Sequence, residues 1–100
     1  MVKHIILWKL KSELSEAEKT EIKKNAKAAL EALVSKVPGL TFVRVNIDGL
    51  ESSNADMMLD TTLESAEALK AYQSHPEHVY VANTFVRPFT ETRMCLDYEE

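Results

Sequence analysis

Cysteine occurs once in this chain of 100 residues, at Cys95, so no disulfide can form within it. A reducing compartment suits a lone thiol best, and a cytoplasmic location is the expectation. Glycine is almost as scarce, with only Gly39 and Gly49. A phosphate-cradling loop needs several glycines in a short stretch, so nucleotide cofactors are not expected, and no other cofactor is implied. Long apolar runs are missing too. Near the N-terminus the longest is Ile5-Ile6-Leu7-Trp8, with Lys3 and Lys9 close on either side. Such a run is too short for a signal-peptide core or a membrane span, so neither export nor membrane insertion is expected. Nor is there an excess of positive charge. Twelve Lys and Arg face sixteen Asp and Glu, a net charge of −4, which argues against a sequence-independent grip on nucleic acid or anionic lipid.

What is present is a globular composition, 45% hydrophobic, of a length that suits one domain over residues 1–100. A chain this small buries only about 60–70% of the surface its unfolded form exposes, so a partner covering more apolar surface would help it. Val2 to Leu10 reads as a strand with Val2, His4, Ile6, Trp8 and Leu10 on one face and Lys3, Ile5, Leu7 and Lys9 on the other. Both faces are apolar at the centre, so both need a cover. Ser15 and Glu18 have the spacing of a capping box. Ile22, Ala26, Ala29, Leu30, Leu33, Val34 and Val37 then form one helical stripe, which Pro38-Gly39 ends. The lysines among residues 18–27 are the solvated back of that helix. A second strand is expected from Thr41 to Ile47, with Thr41, Val43, Val45 and Ile47 on one face. A third runs from Ala55 to Leu63, joined to the second by a long polar loop. A second helix begins near Ser65 and carries Ala66, Leu69 and Tyr72. Pro76 then starts a new helical segment that holds Val79, Ala82, Phe85 and Val86. Pro88 stops it, and a last strand runs from Thr90 to Tyr98, with Met94, Leu96 and Tyr98 sharing a face.

The order β-α-β-β-α-β, under right-handed crossovers, predicts an α+β ferredoxin-like sandwich: four antiparallel strands with helices on one side. The first strand is then central. The uncovered sheet face predicts a homodimer, two sheets face to face in a barrel-like α+β assembly.

One segment, Tyr72-Gln73-Ser74-His75-Pro76-Glu77-His78, gathers a phenol and two imidazoles at a helix junction. Imidazole, with a pKa near 6.5, takes and returns a proton close to neutral pH. Helical spacing turns His78 toward the stripe carried on by Ala82 and Phe85, and Tyr72 toward the apolar side of the preceding helix. His4 lies on the strand face shared with Ile6 and Trp8. So His78, Tyr72 and His4 are the candidate catalytic groups. Ile6, Trp8, Met57, Leu59, Ala82 and Phe85 are candidate walls of a small apolar ligand pocket. Each polar group also has a structural use: a tyrosine on an apolar face is commonly core, and a histidine at a helix start is commonly a cap. A metal centre is a second possibility, built from His75 and His78 with His4 or Glu77, but no H-E-x-x-H spacing or second thiol supports it. Cys95, on a strand, reads as a small buried hydrophobe and not a nucleophile.

The opening MVKHIILWKLK, the Ser15 capping box, LESAEALKAYQSHPEH, the following VRPF and the closing LDYE resemble the stress-responsive α/β barrel domain family over nearly the whole chain. The resemblance implies the homodimeric barrel and, for many members, no assigned activity. It also extends to a branch of plant polyketide cyclases that close a linear polyketide by an aldol step without a cofactor. That likeness implies His78 as the base removing an acidic C–H proton. It implies Tyr72 as a hydrogen-bond donor to the polarised oxygen or to His78, and His4 as an active-site histidine. The cyclases' further pocket histidine corresponds to Met57, a departure from their pattern, so the resemblance does not carry their substrate over to this chain. A related dimeric barrel serves antibiotic-biosynthesis-type monooxygenases, but no residue set here points to oxygen chemistry.

Overall fold

The computed structural model describes residues 1–100. Its strands are β1 (Val2–Leu10), β2 (Leu40–Asn46), β3 (Met57–Leu63) and β4 (Thr90–Glu99). Its helices are α1 (Glu16–Glu31), α2 (Ala66–Ser74) and α3 (Pro76–Val81). The strands lie in the order β2-β3-β1-β4 and every neighbouring pair is antiparallel, the ferredoxin-like α+β fold, with β1 inside the sheet. Val2, Ile6, Trp8 and Leu10 of β1 and Met57, Leu59 and Leu63 of β3 point to one side. There they pack with Ala26 and Leu30 of α1, Leu69 and Tyr72 of α2, and Val81 of α3 in a single core. No helix is long and apolar enough to cross a membrane.

The local chemistry sets the element ends. The Ser15 hydroxyl accepts from the Glu18 amide at 3.1 Å while the Glu18 carboxylate accepts from the Ser15 amide at 2.9 Å. Two orphan donors of the first turn are thereby satisfied. At the other end of α1 the Glu31 carboxylate accepts from Lys27 at 2.7 Å and from the Val45 amide at 2.9 Å, which ties the helix to the outer edge of β2. The expected helix to Val37 ends early. Residues Ala32–Ser35 tighten into a 3₁₀ turn, so Leu33 and Val37 stay buried but Val34 swings out to solvent. A 3₁₀ turn advances about 120° per residue instead of 100°, enough to break the stripe.

β2 also departs from expectation. Leu40 pairs with Leu63 and Phe42 with Thr62, so Thr41 is an extra residue bulged out of register. Leu40, not Thr41, occupies the core position. Gly39 makes the turn into β2 at φ +84, and a Cβ there would meet the Ala68 Cβ at 2.8 Å. β3 begins two residues later than expected because Asp56 is used elsewhere. Its amide donates to the Trp8 carbonyl at 2.8 Å and its carboxylate accepts from the Leu10 amide at 2.8 Å, closing the end of β1.

α2 is capped by Ser65, whose hydroxyl accepts from the Ala68 amide at 3.0 Å. His75 is extended, ends α2 and caps α3, its Nδ1 accepting from the Glu77 amide at 3.1 Å. Pro76 then occupies the first turn, where its missing N–H costs nothing. Beyond α3 the chain widens into a π-helical turn, Ala82–Val86, and a 3₁₀ turn, Arg87–Phe89, before β4.

The opposite sheet face carries no helix. On it Leu7 pairs with Met94, Ile5 with Leu96 and Lys3 with Tyr98. Leu7, Phe42, Met94, Leu96 and Tyr98 are all exposed there, so large apolar side chains gather on one uncovered face.

Candidate functional site

A cavity of about 170 Å³ lies between the helices and the β1–β4 half of the sheet. Its floor is His4, Ile6 and Trp8 of β1 with Leu59 of β3. Leu30, Gln73, His78, Ala82 and Val86 form the helical side, and Arg87, Thr90 and Arg93 stand at the margin. His4, Ile6, Trp8, Leu59, Ala82 and His78 thus line one space.

Two expected wall residues do not. Met57 is buried in the core opposite Trp8 and borders a separate shallow depression near the loop that precedes it. Phe85 is half-buried and meets Tyr80 edge-on, ring centroids 6.3 Å apart. The π-helical turn explains the latter. A wider turn brings the residue four positions on from Ala82, Val86, over the cavity instead of the one three positions on.

Tyr72 stands behind the wall and does not line it. Its ring is fully buried, 4.3 Å from the His78 ring centroid and 6.1 Å from that of His4. The two histidines therefore share one aromatic neighbour. The Tyr72 hydroxyl has no hydrogen-bond partner in the protein, and Tyr72 meets His78 through ring packing. Burial drives its pKa well above the ordinary phenol value, and the hydroxyl stays protonated throughout the physiological range.

His78 is held by its own backbone neighbourhood. Its Nδ1 lies 3.1 Å from the Gln73 carbonyl, an acceptor only, so Nδ1 carries the proton and Nε2 is left as the basic nitrogen. Its pKa is lowered, first by burial and then by Arg87, His4 and Arg93, against the opposing pull of the Gln73 carbonyl. The ring is therefore neutral at pH 7 with its lone pair free, the state a general base requires.

His4 has a partner the sequence did not disclose. Asp97 lies directly across from it on β4, and the His4 Nδ1 donates to the Asp97 carboxylate. Cys95 completes the group, its thiol 3.4 Å from the same carboxylate oxygen and 3.7 Å from the His4 nitrogen. Cys95 is exposed, not the buried hydrophobe expected, because the helices stop short of β4 and leave that edge strand uncovered. Its pKa is raised by partial burial and by the neighbouring Asp97, so the thiol is not activated. The His4 carbonyl in turn accepts from the buried Thr61 hydroxyl at 2.5 Å. His4 is thereby fixed from both main chain and side chain.

The metal arrangement considered from the sequence is not assembled. The Nδ1 of His75 caps α3 and the Nδ1 of His78 faces the Gln73 carbonyl. The potential ligand atoms that do lie together, within 4.8 Å, belong to His4, Cys95 and Asp97. Their mutual contacts read as a hydrogen-bonded group around the carboxylate.

Among known proteins, olivetolic acid cyclase of Cannabis sativa is 31% identical over 100 residues, covering 97% of this chain and 94% of that one. A dimeric ferredoxin-like protein of unknown function from Bacteroides fragilis superposes with a TM-score of 0.93 at 30% identity, covering 99% of this chain and 95% of that chain. Another dimeric ferredoxin-like protein of unknown function, from Thermobifida fusca, shares the fold with a TM-score of 0.80 at 22% identity, over 97% and 88% of the two chains. The family model for the stress responsive A/B barrel domain matches residues 2–100, and the chain belongs to that family.

Proposed function

We propose that this chain is a homodimeric small-molecule-binding domain. In this reading the uncovered sheet face is the dimer contact, and each protomer holds a largely apolar ligand between its helices and sheet. The observation that carries the ligand reading is the cavity, whose twelve lining residues are half hydrophobic and include two imidazoles. Ligand sites combine apolar walls with a few placed polar groups in this way. The dimer is supported by the contiguous exposed apolar residues on one sheet face and by relatives described as dimeric.

Trp8 is the chain's only tryptophan and lines the cavity, so its indole N–H signal is a direct reporter. Titration with heptan-2-one, a neutral apolar ketone, should shift that signal and the His78 ring signals saturably. Shifts scattered over the surface, or none, would remove the ligand reading. Light scattering should return twice the 11.3 kDa chain mass at micromolar concentration, and a value near 11.3 kDa would remove the dimer.

A second reading is favoured by the state of His78, unprotonated at Nε2 and lining the cavity. It makes the domain a cofactor-independent cyclase, isomerase or lyase acting on an activated ketone. His78 Nε2 takes the acidic C–H proton, and the electron pair moves into the adjacent carbonyl to give an enolate. Tyr72, always protonated, acts as the rigid backing that orients the imidazole, while Asp97 holds His4 across the cavity. The relative named olivetolic acid cyclase is consistent with such chemistry. The test is deuterium uptake at the acidic carbon of a 3-oxo ester in D2O. The native protein should accelerate it, and His78→Ala should lose about a hundredfold or more of that acceleration with the dimer intact. Equal uptake by both proteins would refute the role of His78.

A further inference from the structure

The margin of the cavity carries two guanidinium groups whose charge nothing in the chain neutralises. Arg87 belongs to the 3₁₀ turn before β4, and Arg93 pairs across β4 with Trp8, which puts it on the cavity side of the sheet. The ion pairs of the chain are made by the N-terminal amine, Lys3, His4 and Lys27, and no arginine takes part in one. Arg87 donates to the Asn83 side-chain carbonyl at 2.6 Å, which holds the guanidinium without cancelling its charge. Of the carboxylates along β4, Glu91 is exposed and makes no ion pair, and Asp97 is committed to His4 and Cys95. Both arginines act on His78, lowering its affinity for a proton, so their field reaches the cavity interior. The space behind them is closed by Ile6, Trp8, Leu30 and Leu59.

An apolar slot with two guanidinium forks at its mouth, neither in an ion pair, has a definite chemical preference. Guanidinium binds carboxylate through paired N–H···O bonds, which neither an amide nor a ketone can match in strength. We propose that the cavity selects a small apolar carboxylic acid in its ionised form, with the carboxylate at Arg87 and Arg93 and the hydrocarbon tail against Trp8 and Leu30. This inference rests on the reading of the cavity as a ligand site and adds the charge of the ligand to it.

The probes are hexanoate and its uncharged isostere hexanamide, titrated against the full chain and followed through the Trp8 indole N–H signal. Hexanoate should bind about tenfold or more tightly than hexanamide. The double variant Arg87→Gln, Arg93→Gln should weaken hexanoate binding about tenfold or more and so bring the two probes to parity. Both arginines are exposed, so the variants should keep the parent thermal midpoint, which circular dichroism verifies. Equal binding of the two probes by the native protein would overturn the anion preference and leave the ligand site standing. A preference for hexanoate that survives in the double variant would also overturn it. If neither probe nor heptan-2-one moves the Trp8 signal, the ligand site itself fails and the inference goes with it.

Discussion

Tyr72→Phe removes a single oxygen from the most enclosed polar position in the molecule. The Tyr72 side chain is fully buried and its hydroxyl finds no hydrogen-bond partner among the protein atoms. A hydroxyl taken out of water without a partner costs about 1–3 kcal/mol. Phenylalanine keeps the ring contacts with His78 and His4 and removes that cost. The expected result is a protein more stable by about 1–2 kcal/mol, since part of the gain is lost to the small void left behind. For a chain of this size about 1 kcal/mol moves the thermal midpoint by roughly 4–8 °C. The assay is thermal and urea unfolding of both proteins at one protomer concentration, because the midpoint of an associating protein depends on it. The ligand titrations on the same samples complete the test. A rise in stability together with weaker binding or slower proton transfer would mean that the hydroxyl is retained for function at the expense of stability. A fall in stability of 1 kcal/mol or more would show that the hydroxyl is satisfied in the folded protein, and the argument from its isolation would be refuted.

Other perturbations test the neighbouring contacts. The folded-state pKa of His78 lies below its unfolded value of 6.5. The unfolded chain therefore binds more protons in the window between the two values. Stability should hold above about pH 6.5 and decline as pH falls through that window, and His78→Gln should flatten this part of a urea-midpoint profile. An unchanged profile would mean the ring is not desolvated. Gly39→Ala combines a left-handed φ with a Cβ 2.8 Å from Ala68, and should destabilise by roughly 1–3 kcal/mol in urea unfolding. A neutral result would require the turn to relax. Asp97→Asn removes one of the groups that raise the Cys95 pKa, so alkylation of that thiol by iodoacetamide at pH 8 should accelerate, as mass spectrometry would record. Equal rates would show that Asp97 does not act on the thiol.

The fold was legible because most of its elements announce themselves locally. The Ser15 capping box, the stripe from Ile22 to Leu33, the Pro38-Gly39 stop and the Pro76 restart are each read within a few residues. What escaped were changes of helical pitch and strand register. Val34 and Phe85 sit in correct helical phase by counting, yet a 3₁₀ turn exposes the first and a π-helical turn turns the second toward Tyr80. The Thr41 bulge moves Leu40 into the core for a similar reason. Such adjustments of one residue are driven by packing against distant segments, which no local window contains. Of the site, His4 and His78 were accessible because each lies on an element with clear periodicity. Asp97, Gln73 and the two cavity arginines were not, because each acts through a neighbour set by the tertiary fold.

β4 is where that missing information was concentrated. In β1 and β3 the residues turned toward the helices are apolar except for the paired His4 and Thr61. In β4 the sense is reversed: Arg93, Cys95 and Asp97 pair with Trp8, Ile6 and His4 on the helix side, while Met94, Leu96 and Tyr98 face away. The helices do not extend over this strand, so its polar side chains need not be buried: Arg93 stands at the rim of the cavity, and Cys95 and Asp97 gather at His4. On the other face the apolar ones join Leu7 and Phe42 in an uncovered surface. A single inverted alternation therefore supplies both the polar rim of the cavity and much of the apolar patch proposed as the dimer contact. Because side chains alternate with a period of two, a slip of one residue in the β1–β4 pairing would exchange these faces. Arg93 and Asp97 would then lie in the proposed contact and Met94 and Leu96 at the cavity. Dimer and site are on this argument two consequences of one register, so a change that shifts β4 should impair both together.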